Sequence, residues 1–134
     1  MSDLRPYEQE FELRFLKSRG NAFQDLFSEV MEESYPYDFK RVRSHGQLGD
    51  LKCDGYLPSE KTVFQVYGPE DIRPLQKLLD KIQADFNGAL QYWGDRMDRW
   101  VFVHNCQAGL PAQALQLLED LGKRPSGPKV TQWG

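Results

Sequence analysis

A chain of 134 residues with 40% hydrophobic and 28% charged side chains fits one compact domain with its own core, and excludes global disorder. A net charge of −3, from 17 basic and 20 acidic residues, excludes a protein held on nucleic acid by bulk electrostatics, although not an enzyme whose acidic centre lies beside a local basic rim. No apolar run approaches the roughly 18 to 20 residues of a membrane span, and the polar start Met1 to Glu10 is neither a signal nor a transit peptide, so a cytoplasmic protein without a membrane contact is expected.

Glu8 to Leu16 reads as helix, with Phe11, Phe15 and Leu16 on related turns, and Gly20-Asn21 interrupts it. Asn21 is the expected cap of a second helical piece, in which Phe23, Leu26, Phe27, Val30 and Met31 recur at helical spacing. That piece stops before Tyr35-Pro36, because the residue preceding a proline avoids the helical region. Phe39 to Arg43 alternates apolar and basic residues, as a half-buried strand does, and His45 to Asp50 reads as a turn. Leu51 to Leu57 predicts a second strand, Pro58 to Lys61 a tight loop, and Thr62 to Tyr67 a third strand rich in β-branched and aromatic residues. The last two strands are spaced as a hairpin.

After Gly68-Pro69 comes a long helix. Asp71 is its expected cap, Pro74 sits in its first turn and Gly94 ends it. Ile72, Leu75, Leu79, Ile82, Phe86, Leu90 and Trp93 form its apolar stripe. Trp100 to His104 is a fourth strand, apolar almost throughout and therefore central. Pro111 opens a last helix with Leu115, Leu118 and Leu121 inward, and Lys129 to Trp133 is a fifth strand. The only cysteines, Cys53 and Cys106, lie far apart in apolar contexts; they are expected as two free buried thiols, not a disulfide scaffold or a zinc site. The order αβββαβαβ predicts a single α/β domain over residues 1–134, with a mixed central sheet flanked by helices. Because the chain stops directly after its fifth strand, it is expected to be the N-terminal part of a longer protein.

Chemistry concentrates around Asp50, Lys52 and Asp54. Spaced by two along an extended segment, they share one face, with Leu51 and Cys53 on the other. Gln65 and Tyr67 likewise share a face of the next strand. In a natural hairpin register Asp54 faces Gln65, which gathers carboxylate, amide oxygen, ammonium and phenol in one place. Mg²⁺ (or Mn²⁺) is served by one or two carboxylates, a carbonyl oxygen and waters, and a nearby lysine offsets charge on a phosphate. On spacing alone, the alternative is a solvated strand face beside a turn.

The run Gly49-Asp50-Leu51-Lys52-Cys53-Asp54-Gly55, a short hairpin and then Gln65-Val66-Tyr67 resemble the core of the PD-(D/E)xK, or restriction-endonuclease-like, nuclease superfamily. They are most similar to its Mrr-type branch, in which a glycine-rich run ending in Asp-Gly precedes a strand bearing Gln-x-Lys. The resemblance spans Phe23 to His104. It implies a restriction-endonuclease-like αβββαβ core and Mg²⁺-dependent cleavage of DNA, as in effector domains at the N-termini of bacterial antiphage defence proteins. Carried over by position, Asp54 falls on the metal-binding aspartate and Gln65 on the second metal ligand, with Asp50 assisting. Tyr67 stands at the catalytic lysine position, and a phenol is a poor general base at neutral pH. Either Lys52 takes over that role while Tyr67 positions the phosphate, or the site is degenerate and binds without cutting. The acidic residue of the branch's first helix is matched by Gln24, and Glu29 on the same helix flank is the candidate substitute, the alternative being a solvated helix carboxylate.

Lys40, Arg41 and Arg43 form a small basic patch leading to the site, and Lys77 and Lys81 lie one turn apart on the long helix; both groups are candidates for phosphate contacts. Arg96 and Arg99 flank Trp93 and Trp100. His45, in the loop before the motif, and His104, at the end of the central strand, are expected as a plain loop residue and a hydrogen-bonded structural histidine. The expected function is that of a metal-dependent DNA phosphodiester hydrolase controlled by a sensor domain, a partner protein or self-assembly. The alternative is a catalytically degenerate, nuclease-like module that binds nucleic acid or protein.

Overall fold

The computed structural model describes residues 20–42, 53–68, 74–106 and 109–134. The first helix, α1, spans Gly20–Ser34. It buries Phe23, Leu26, Phe27 and Met31 on one stripe. Gly20 and Asn21 are already helical, so Asn21 lies inside the helix and is not its cap. The helix predicted over Glu8 to Leu16 lies outside the described residues. As expected, α1 ends ahead of Tyr35-Pro36, and a turn closes it in which the Tyr35 and Phe39 amides donate to the carbonyls of Met31 and Tyr35.

Three antiparallel strands follow: β1 (Lys40–Arg41), β2 (Gly55–Leu57) and β3 (Thr62–Tyr67). The first two are shorter than the sequence pattern predicts, but the ladder continues past β2 through Asp54. Its N–H donates to Phe64 O at 2.8 Å and its carbonyl accepts from Val42 N at 3.2 Å. A single 3₁₀ turn, Pro58–Glu60, joins β2 to β3, with Lys61 in the left-handed region (φ 48°) closing the hairpin.

The helix α2 (Leu75–Trp93) crosses over to β4 (Arg99–His104), and α3 (Ala112–Leu121) crosses over to β5 (Lys129–Trp133). Helical crossovers make successive strands parallel, so β3, β4 and β5 run the same way. The result is a five-stranded mixed sheet in the order β1-β2-β3-β4-β5, an α/β fold with helices on both faces. β4 lies between two neighbours and is buried along its length after Arg99, as its apolar sequence requires.

Alternation along β3 divides the core into two layers. Val63 and Tyr67 pack with α2 and α3, whereas Phe64 and Val66 pack with Phe23, Phe27 and Met31 of α1. The apolar row of α2 that meets the sheet is Leu78, Ile82, Phe86, Ala89 and Trp93. Leu75, Leu79 and Leu90 form its half-buried shoulder rather than its centre. On α3, Ala114 takes the inward position and Leu115 is 43% exposed. Cys53 is buried and Cys106 half-buried, and neither forms a disulfide. No helix among the described residues is long and apolar enough to cross a membrane.

Candidate functional site

The register pairs Gly55 with Phe64, and the next rung sets Asp54 across from Gln65. The Asp54 carboxylate exploits this position. Its Oδ2 accepts the Val66 N–H at 2.7 Å and the Gln65 Nε2–H at 3.2 Å. β2 and β3 thus stay joined beyond the last backbone rung, because a side-chain oxygen takes the place of a strand carbonyl. Asp54 and Gln65 therefore converge, as the spacing predicted.

Gln65 is only 5% exposed, and its Oε1 is buried without a hydrogen-bond partner. A buried, unsatisfied carbonyl costs about 1–3 kcal/mol. That orphaned oxygen bears on whether the residues fit a divalent cation. Cis ligands of an octahedral ion with bonds near 2.1 Å lie about 3.0 Å apart. The Gln65 amide stands 3.2 Å from Asp54 Oδ2. Turning the amide by half a revolution would bring its oxygen to that spacing, where a bound cation would partner it. The pair fits two adjacent ligand positions of Mg²⁺ or Mn²⁺, with water filling others. It does not make a closed cage: no cluster of three His, Cys, Asp or Glu side chains able to hold a metal occurs among the described residues.

Tyr67 shares the Gln65 face of β3, but its placement corrects the phosphate-positioning role expected of it. The side chain is fully buried, 4.6 Å from Phe102 between ring centroids, and is sealed into the layer beneath α2. What stands over its ring is Lys81, whose Nζ is 5.2 Å from the centroid and 3.3 Å from Asp85 Oδ2. The sequence marked Lys81 only as a surface phosphate contact paired with Lys77. Its position above residue 67 depends on how α2 crosses the sheet, and no local pattern encodes that.

Asp50, Lys52, Arg43 and His45 lie outside the described residues, so their expected roles have no counterpart here. Glu29 is exposed on α1, the helix that covers the face opposite Gln65 and Tyr67. Lys40 and Lys77 are exposed. Arg41 is not an open phosphate contact: its guanidinium grips both Glu32 oxygens at 3.0 and 3.2 Å and lies 3.9 Å from Asp25. Arg96 stacks 4.9 Å above Trp93 and 5.3 Å from Tyr92, while donating to the Tyr92 and Trp93 carbonyls.

His104 ends β4 beside Tyr67 in the parallel register. Its Nδ1 accepts the Cys106 N–H at 3.2 Å, which leaves the proton on Nε2 to donate to Gln132 Oε1 at 2.6 Å. Burial holds its pKa below the usual histidine value, against a smaller opposing effect of the Gln132 hydrogen bond. It is the hydrogen-bonded structural histidine the sequence led one to expect. The Asp54–Gln65 pair, Tyr67 and His104 together occupy the carboxyl ends of β3 and β4, the edge at which open α/β sheets build their sites.

No protein-family model matches the chain, and neither does any curated protein or solved structure.

Proposed function

We propose that this domain is a metal-dependent DNA phosphodiester hydrolase with a restriction-endonuclease-like core, acting in the cytoplasm as the effector part of a bacterial antiphage defence protein. The observation that carries the reading is the convergence of Asp54 and Gln65 across β2 and β3, with a buried Gln65 oxygen lacking a partner. Asp54 and Gln65 would hold Mg²⁺ or Mn²⁺, with Asp50 as a further carboxylate. The bound ion supplies Lewis acidity at a phosphate oxygen and a more acidic water. The chain's own part is to fix two ligands on a rigid sheet edge and to set an ammonium beside them. Lys52 and Lys81 are the two candidates for that ammonium, and Lys81 has the advantage of standing over the ring at the usual lysine position. DNA is the substrate, and control comes from a sensor domain, a partner protein or self-association.

A second reading, a degenerate module that binds nucleic acid or protein without cutting, is favoured by one observation: residue 67 is a phenol with no exposed surface. Plasmid nicking separates the two. The hydrolase reading expects nicking by the wild-type chain with Mg²⁺ or Mn²⁺, loss of nicking in EDTA, and background rates for Asp54→Asn. Asparagine keeps an oxygen for the Val66 N–H and lets the Gln65 amide turn to accept from it, so this variant stays folded where Asp54→Ala strands both donors. Nicking by Asp54→Asn at the wild-type rate ends the hydrolase reading. An inert chain that still retards DNA in a gel makes it a binding module.

A further inference from the structure

At the end of the sheet opposite Asp54, the beginnings of β4 and β5 open onto a cavity of about 720 Å³. That volume lies within the range of small-ligand sites. Arg99 and Lys129 form the first rung of this parallel pair, and Arg124 reaches the same cavity from the turn after α3. Like charges side by side on neighbouring strands repel, and an anionic group between them relieves that repulsion. Among the described residues, none of these three cations makes an ion pair. Glu60, Asp95 and Asp98 also line the cavity, from the turns that precede β3 and β4, and they too form no ion pair among the described residues. Three cations and three carboxylates thus line one depression with no ion pair formed between them.

Backbone hydrogen bonds hold the turns that carry these side chains. The Asp98 and Arg99 amides both donate to Lys61 O, at 2.8 and 3.2 Å, and the Lys129 N–H donates to Asp98 O at 2.9 Å. The turn carrying Arg124 is closed by Gly127 N–H on Arg124 O at 3.0 Å. A Cβ on Gly127 would fall 2.9 Å from Arg124 Cβ, so a larger residue would force this turn open. Ser126 is held in the left-handed region at φ 58°, a conformation that costs a non-glycine residue of order 1 kcal/mol.

We propose that this cavity binds a small phosphate ester bearing hydroxyl groups, a sugar phosphate or a nucleotide. Its phosphate would rest on Arg99 and Arg124, whose guanidinium forks match phosphate oxygens two at a time, and on the Lys129 ammonium as a point charge. Its hydroxyls would donate to the carboxylates of Glu60, Asp95 and Asp98. A bare anion would use the cations but meet three carboxylates with nothing to offer them. A duplex backbone would meet the same repulsion at every phosphate. The site stands independently of the nuclease reading, since it shares no residue with the Asp54 edge.

The test is calorimetric titration of the whole chain with ribose 5-phosphate, AMP, inorganic phosphate and ribose. Both esters, or AMP alone if the base is required, should bind with dissociation constants of about 1 mM or tighter, and inorganic phosphate and ribose about tenfold more weakly. Arg124→Gln and Lys129→Gln, both exposed positions, should each weaken the esters about tenfold, and Asp98→Asn should weaken the esters but not inorganic phosphate. Asp54→Asn should leave all four titrations unchanged, whatever it does to nicking. No heat from either ester up to about 10 mM would overturn the proposal, as would inorganic phosphate binding as tightly as the esters, or indifference to Arg124→Gln and Lys129→Gln.

Discussion

Histidine 104 shows how one buried side chain turns pH into stability. Its neutral form is fixed by two hydrogen bonds, from Cys106 N–H and to Gln132 Oε1, and burial lowers its pKa. The unfolded chain regains an ordinary histidine near 6.5 and takes up a proton first as the pH falls. Stability is therefore intact above about 6.5 and declines as the pH falls from there through the lowered folded value. Protonation of Nδ1 also forfeits the Cys106 amide bond, which starts the turn to Gly109, where the Cys106 thiol donates to a carbonyl. Urea midpoints measured at pH 7.5 and 5.5 should fall further for the wild type than for His104→Leu. Equal falls would show that other groups carry the acid response. The Asp54–Gln65 pair follows the same logic of satisfaction. Asp54 has its donors, whereas the Gln65 Oε1 lacks one.

Helix α2 is the element on which both ends of the sheet depend. Its buried row meets the core, Lys81 rises from it over Tyr67, and the 3₁₀ turn that follows it, Gly94–Arg96, delivers Arg96 onto Trp93. It stops at Gly94, which adopts φ 52° and ψ −123°, a region that side-chain-bearing residues avoid, while its N–H still donates to Leu90 O. Nothing lies within 4 Å of where a Cβ would stand, so Gly94→Ala isolates backbone strain from steric crowding. The substitution should cost about 1–2 kcal/mol in chemical denaturation. A neutral result would mean that the turn relaxes into another conformation, and the neighbouring cavity at Asp95 and Asp98 would then change shape. Gly94 was legible as a helix stop because glycine after a periodic run is a local signal. The central row of α2 was legible only in part: Ile82, Phe86 and Trp93 were expected in it and Leu78 and Ala89 were not, since an apolar stripe of this width holds two adjacent rows and the sheet selects between them.

Across the whole molecule, Phe27 joins distant parts of the chain. Its ring centroid lies 6.0 Å from Phe39, 5.3 Å from Phe64 and 6.4 Å from Trp133, so one side chain of α1 touches the approach to β1, the hairpin strand β3 and the edge strand β5. Phe27→Ala should lose about 3–5 kcal/mol by equilibrium unfolding, the range for a buried ring whose cavity cannot collapse. Tyr37→Ala, at a residue 93% exposed, should stay within about 0.5 kcal/mol and serves as the control. A small loss at Phe27 would show that α1 docks loosely and that the sheet stands largely on α2 and α3.

The sequence by itself determined the element order, the limits of β3 and β5, the mixed sheet and the opposition of residues 54 and 65. These follow from short-range rules: alternation, turn chemistry, proline and glycine punctuation, and the parallel direction that a helical crossover imposes. Only the tertiary structure decided that Tyr67 is sealed while Lys81 covers it, that Arg41 is claimed by Glu32, that Leu115 faces out, and that Arg99, Arg124 and Lys129 meet around one cavity. Each of these depends on how helices cross the sheet and which turns abut at its ends. Those geometries are fixed by the packing of residues far apart in the chain, for which the local pattern carries no record.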